Sequence, residues 1–292
     1  MKTLIQNYTS ALSTEPMYIN KCLNECGGQS VLWSDPSVSA FDAFDHSSPD
    51  LFITHYKFLT NDVVKYLSQN KKIQMVLNVS GAQQAELDQV DSLLEGFGVN
   101  IPLVFSNAYQ ANTVAKTKKV KFINLFPAAD IFLAPIGTPD YSIDTCVVGI
   151  QNSDLVQESI KGKKTYHIFS LNPEADYADM SLDITGMTSF YNKYKTVVLA
   201  DDLNVVTSQL LFDGMLRANK INIKVPENQK DNLDKILALL FVESPEKKDI
   251  ADILRDQIKS KHNCFNRVAR LLRSLGGVKD IAQKMEDISS KL

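Results

Sequence analysis

Short apolar runs alternate with helical stretches along most of this chain, and that alternation restricts the fold more than any other feature. Residues 3–5, 30–33, 51–54, 73–79, 103–105 and 120–125 read as strands. Residues 15–26, 39–44, 61–68 and 82–96 read as the helices between them. Pro16 sits in the first turn of the first helix and Gly27-Gly28 stops it. Strands joined through helices require crossover connections, so the pattern predicts βαβ units and parallel sheets.

Residues 122–136 read as strand, turn and strand, because Asp130 and two prolines interrupt the apolar run. Residues 134–140 hold two prolines and one glycine and form the best linker. The alternation then restarts, with strands at 146–150, 166–170, 196–199 and 221–225 and helices at 153–160, 188–194 and 205–218. From residue 228 onward the pattern is helical, over 228–241, 245–259, 262–275 and 278–291. The expected organisation is two Rossmann-like α/β domains, 1–138 and 139–292, the second ending in helices. A length of 292 residues suits two modest domains.

Composition narrows the class. Hydrophobic residues make up 44% and charged residues 22%, which excludes a disordered or fibrous chain. The longest apolar run, 236–242, is far shorter than the ~20 residues of a membrane helix. The first residues turn polar after Leu4-Ile5, so no secretory segment is expected and the reading is a cytoplasmic protein without a membrane partner. Cys22, Cys26, Cys146 and Cys264 are too scattered for a disulfide scaffold and read as buried thiols. Net charge is −3, yet residues 259–292 carry eight Lys/Arg against three Asp/Glu. That excludes a dedicated high-pI nucleic-acid domain and leaves room for a local basic surface.

Several motifs are absent. There is no Gly-x-Gly-x-x-Gly, no P-loop and no Gly-x-Ser-x-Gly elbow. No Asp-x-Asp triplet occurs to hold a divalent metal beside a diphosphate, so no metal site is expected. Polar residues instead follow the strands, including His55, Ser80-Gly81, Asn152-Ser153, Ser170 to Asn172 and Asp201-Asp202. These are the positions where open α/β sheets bind ligands. His55 is a base or a structural histidine; Asn152-Ser153 is a helix cap that could also seat a phosphate.

The most specific pattern is Tyr191-Asn192-Lys193-Tyr194-Lys195-Thr196-Val197-Val198-Leu199, followed by Leu210-Leu211-Phe212-Asp213-Gly214-Met215 and later His262-Asn263-Cys264-Phe265-Asn266-Arg267. In order and content these segments resemble the spore-maturation (CgeB-type) branch of the two-domain GT-B glycosyltransferases. Residues 41–55, with Pro49-Asp50 before a strand ending in His55, resemble the first domain of that family. The resemblance implies a GT-B-like fold of two parallel sheets facing across a cleft, with transfer of a sugar from a nucleotide-diphosphate sugar, in the first instance a UDP-sugar, and no other cofactor.

It also implies residue roles. Asp213 stands where the family has a Glu and would take the ribose hydroxyls. The family's Arg falls on Leu210, so a phosphate cation is missing there; Arg217, Lys220 or the helix start at Thr207-Ser208-Gln209 would replace it. The donor set is then Asn152, Ser153, Ser170, Asn172, Ser208, Gln209, Asp213 and Arg217, with His55 as catalytic base. Small size, a Lys/Asn-rich sequence and the basic tail suggest by analogy a bacteriophage enzyme glycosylating a hydroxylated pyrimidine in double-stranded DNA. Lys118, Lys119 and Lys121 would meet that acceptor in the host cytoplasm. A polysaccharide or protein acceptor is the alternative within the class. A GT-B-fold binding protein without activity is the alternative outside it, favoured by Leu210.

Overall fold

The computed structural model describes residues 1–8, 14–99, 103–106, 121–125, 128–133, 141–149, 152–172, 174–182, 186, 190–202, 205–217, 220–240, 250–276 and 278–292. The chain divides into two compact units, one of Met1–Phe126 with Cys264–Lys291 and one containing Pro127–Asn263. Both are α/β units built on a parallel sheet.

In unit 1 the strands are β1 (Lys2–Gln6), β2 (Gln29–Trp33), β3 (Leu51–His55), β4 (Gln74–Asn78), β5 (Leu103–Ser106) and β6 (Phe122–Asn124), ordered β2-β1-β3-β4-β5-β6. Every pairing is parallel, with Leu4 opposite both Val31 and Phe52. Helices α1 (Glu15–Glu25), α2 (Ala40–Ser47), α3 (Asn61–Gln69) and α4 (Gln84–Gly96) connect them. Strand β3 is buried at every residue, as a strand covered on both faces must be. Leu4, Phe44, Phe52, Val63, Met75 and Leu94 form one core cluster; Leu77, Val79, Leu87 and Val104 belong to another.

In unit 2, β7 (Ile143–Gly149), β8 (Tyr166–Ser170), β9 (Met180–Ser181), β10 (Tyr194–Ala200) and β11 (Ile221–Lys224) are ordered β11-β10-β7-β8-β9 and are again parallel. The helices are α5 (Ser153–Ile160), α6 (Val205–Arg217), α7 (Lys230–Leu240) and α8 (Ile250–Lys261). Val147, Val156, Ile168, Val198 and Ala200 form its core cluster. No helix is long and apolar enough to cross a membrane among the described residues.

Three sequence expectations need correction. The division expected at 138/139 falls at 126/127, and the final helices α9 (Cys264–Leu275) and α10 (Lys279–Ser289) belong to unit 1. The reason is α9's apolar stripe of Phe265, Val268, Leu271 and Leu272, which is buried and packs with α1. Burying each such side chain contributes about 1.5–3 kcal/mol. Of the helix expected at 188–194, Phe190 is helical, Tyr191–Lys193 form a 3-10 turn, and Tyr194 already opens β10. Of the second strand expected within 122–136, the described residues 128–133 show an isolated bridge between Ala129 and Asn263 and a turn, and 134–136 lie outside the described residues. The linker expected at 134–140 lies outside the described residues.

Candidate functional site

Ligands bind α/β sheets outside the carboxyl ends of the strands, where successive connections leave in opposite directions. The strand orders place that junction between β1 and β3 in unit 1 and between β7 and β10 in unit 2.

In unit 2, β7 ends at Gly149. A side chain there would meet Val156 Cγ2 at 2.4 Å, with the Ala200 carbonyl oxygen at 3.4 Å. Glycine is what lets α5 approach the sheet this closely. Asn152 caps α5, its Oδ1 accepting from the Leu155 N–H at 3.2 Å, and Ser153 opens the helix at the surface. The helix start presents N–H groups and the positive end of its dipole at the sheet junction. At the end of β10, buried Asp201 accepts from the Asp202 N–H at 2.7 Å. At the end of β8, Ser170 Oγ accepts from the Asn172 N–H at 2.9 Å, and Asn172 Oδ1 accepts from the Glu174 N–H at 3.0 Å. Asn152, Ser153, Ser170 and Asn172 therefore sit at the ligand-binding end of one sheet.

The α6 residues do something else. Asp213 is wholly buried: Oδ1 accepts from the Asp130 N–H at 2.8 Å and from Arg217 Nη1 at 3.0 Å, and Oδ2 accepts from Gln209 Nε2 at 2.9 Å. Gln209 also donates to the Ala128 carbonyl at 2.8 Å, and Arg217 donates to the carbonyls of Asp130 and Leu133. Gln209, Asp213 and Arg217 recur every four residues on one face of α6 and clamp the main chain of 128–133. This corrects their assignment as donor ligands. A ribose needs open carboxylate oxygens, and those of Asp213 are occupied within the protein. Burial pushes the Asp213 pKa up to about 6 against the opposing pull of Arg217. Leu210, where the resemblance expects a cation, is buried. The Ser208 side chain lies outside the described residues.

In unit 1, His55 ends β3 and is 1% exposed. Its Nε2 lies 3.1 Å from the Ser80 carbonyl oxygen and its Nδ1 accepts from the Lys57 N–H at 3.3 Å, which fixes the tautomer with the proton on Nε2. Burial pulls its pKa down to about 4. As it stands, the ring is a neutral tie between β3 and the turn after β4, a correction to its reading as a ready base.

Next to it lies a network absent from the sequence reading. Glu15 accepts from Arg267 Nε at 2.7 Å and Nη2 at 2.5 Å, from the hydroxyls of Tyr8 and Tyr18, and from Asn78 Nδ2 at 2.6 Å. Arg267 Nη1 donates to the Leu125 carbonyl at 2.6 Å, and its guanidinium lies over Phe105. Burial, then the Glu15 charge, holds both tyrosines protonated as donors. Arg267 was within reach of the sequence through the His262 to Arg267 motif. Glu15 stands in the first turn of α1, where the helix dipole alone favours an acid, so its sequence position does not mark it out.

Lys121 Nζ donates to the Ser274 carbonyl at the end of α9, while Lys118 and Lys119 lie outside the described residues. Among the described residues no group of three His, Cys, Asp or Glu is placed to hold a metal ion. The four cysteines are buried and lie outside any disulfide.

No protein-family model matches the chain, and no curated protein matches it. Among solved structures it is similar to SsfS6, a glycosyltransferase of Streptomyces sp. SF2575, at 7% identity and a TM-score of 0.44, covering 98% of this chain and 100% of that one. It is also similar to CalG4, the calicheamicin glycosyltransferase, at 10% identity and a TM-score of 0.44, covering 95% and 99%. A third similarity is to S. aureus MnaA in complex with UDP, at 10% identity and a TM-score of 0.43, covering 93% and 95%. At these values the likeness carries no activity across to this chain.

Proposed function

We propose that this chain is a glycosyltransferase that moves a sugar from a nucleotide-diphosphate sugar, in the first instance a UDP-sugar, to an acceptor hydroxyl. The observation that carries the reading is the β7–α5 turn, where Gly149 admits a close-packed helix whose capped N-terminus stands at the sheet junction. The sequence resemblance to GT-B enzymes supports it independently. In this reading the diphosphate sits at the start of α5, and helix N–H groups stabilise the charge that develops on the leaving nucleotide, without a metal. Ser170 and Asn172 stand near the donor; unit 1 takes the acceptor. His55 can act as base only by giving up its Lys57 bond, so we place it as a positioning residue. The version with a hydroxylated pyrimidine in DNA as acceptor rests on the lysines of 116–121 and the basic C-terminal segment.

A thermal-shift screen against nucleotide sugars tests the reading. Ligand at ~100 times its dissociation constant adds roughly 2.7 kcal/mol of stability. A UDP-sugar is expected to stabilise the protein and EDTA to leave turnover within a few-fold. No shift with any nucleoside-diphosphate sugar overturns the reading, and complete, magnesium-reversible inhibition overturns the metal-free step.

A second reading has its own observation. Leu210 is buried where the resemblance expects a cation, and Gln209, Asp213 and Arg217 are engaged in the clamp on 128–133. A protein that keeps the fold to bind a nucleotide without transfer would look the same. UDP binding with no hydrolysis or transfer of any UDP-sugar selects this second reading.

A further inference from the structure

A cavity of about 300 Å³ lies in unit 1 at the end of the sheet opposite His55 and Asn78. Asp50 and Leu51 line it where the chain enters β3, and Lys72 and Gln74 where it enters β4. Leu51 and Gln74 are register partners, so their side chains share one face of the sheet. Phe52, one residue on, points to the other face and joins the core cluster of Phe44 and Val63. On the cavity's face the space is closed by Leu275, which ends α9, and Val278, which precedes α10. The cavity therefore exists because the last helices return to the first sheet.

Its chemistry is divided between interior and rim. Leu51 is 1% exposed and, with Leu275 and Val278, makes the interior apolar. Lys72 and Asp50 are exposed and carry opposite charges on the rim. Among the described residues neither of them makes an ion pair. Asp50 Oδ2 accepts from the Lys2 N–H at 2.8 Å, and a carboxylate has acceptor sites to spare for a further donor. A simple carboxylic acid would meet Lys72 but also the like charge of Asp50. A simple amine would meet the reverse conflict. The volume stands at the lower end for ligand sites, which suits a molecule of few heavy atoms.

We propose that this cavity binds a free α-amino acid with a branched apolar side chain. The carboxylate pairs with Lys72, the ammonium with Asp50, and the side chain lies against Leu51, Leu275 and Val278. A zwitterion of this kind satisfies both rim charges and the apolar interior at once. The guest would join the α9–α10 corner to β3. The site lies within unit 1 and does not depend on the reading of α5 as a nucleotide site.

The test uses the full chain and ligand-observed NMR, with L-leucine as the probe. N-acetylleucine and leucinamide are the controls, each lacking one of the two charges. Wild type is expected to bind leucine with a dissociation constant on the order of 1 mM, and each control about fivefold more weakly. Lys72→Met and Asp50→Asn are each expected to weaken leucine about fivefold and to leave UDP binding unchanged. Both positions are exposed, so both variants are expected to fold. The Lys72→Met protein should no longer distinguish leucine from leucinamide, and Asp50→Asn should no longer distinguish leucine from N-acetylleucine. No leucine binding by wild type, equal binding of all three probes, or unchanged leucine affinity in both variants overturns the proposal. Leucine binding by a protein that ignores every nucleotide sugar upholds this cavity and removes the glycosyltransferase reading instead.

Discussion

Among the described residues each unit contains one buried arginine–carboxylate pair, and the two are built on opposite plans. Asp213 and Arg217 are four residues apart on α6, a local pair that any helix of this sequence brings together. Glu15 and Arg267 are 252 residues apart and meet only when the last helices return to the first sheet. The local pair holds a short stretch of main chain at 128–133, whereas the distant pair fastens α9 to the β1–α1 region and gathers Tyr8, Tyr18 and Asn78 around it. The contrast teaches that a buried charge pair takes its meaning from what else its donors and acceptors reach. Read from sequence, the local pair looked like ligand chemistry and the distant one was invisible.

The largest effect should come from breaking the distant pair. Arg267→Met leaves Glu15 buried and uncompensated and should cost about 3–5 kcal/mol, measured by chemical denaturation. Adding Glu15→Gln should restore much of it; a single variant as stable as wild type would mean that the pair holds nothing. Asp213→Ala should cost less, about 2–3 kcal/mol, because Arg217 keeps its carbonyl acceptors. An unchanged melting temperature with weakened UDP binding would return Asp213 to the donor site.

The pairs also sit beside groups whose pH responses oppose each other. His55 has a folded pKa of about 4, below its unfolded 6.5. Its contribution is fully present above pH 6.5 and is lost as pH falls towards 4, up to about 3 kcal/mol. Asp213 has a folded pKa of about 6, above its unfolded 3.8. Its contribution is therefore present at low pH and is lost as pH rises from 3.8 to 6, again up to about 3 kcal/mol. Hydrogen exchange between pH 4 and 7 should show β3 and β4 loosening on acidification while 128–133 tightens. His55→Gln and Asp213→Asn should each flatten only their own unit's response, and parallel responses would contradict the assignment. The smallest effect belongs to Lys121→Met, which loses one exposed bond to Ser274 and should change stability by no more than about 0.5 kcal/mol.

Much of this fold was legible because period and punctuation agree. The helix at Ser153–Ile160 and the strand at Tyr166–Ser170 fall where the pattern places them. The two-residue strand β9 was not legible, since Met180-Ser181 is too short to show a period. The site was legible by position more than by role. Polar residues after strands marked the right end of each sheet, because parallel topology fixes where strand ends converge. What His55, Gln209, Asp213 and Arg217 do there depends on burial and on main-chain partners such as Ser80 and Asp130. No spacing in the sequence reports those partners.

Calorimetric titration of UDP into wild type, Asn152→Ala and Asp213→Asn tests the central claim most directly, since it asks whether unit 2 binds a nucleotide at the start of α5 rather than along α6. The account predicts that wild type binds UDP, that Asn152→Ala weakens it by about tenfold through loss of the cap, and that Asp213→Asn binds as wild type does. No UDP binding by wild type, or affinity lost in Asp213→Asn and kept in Asn152→Ala, would contradict it.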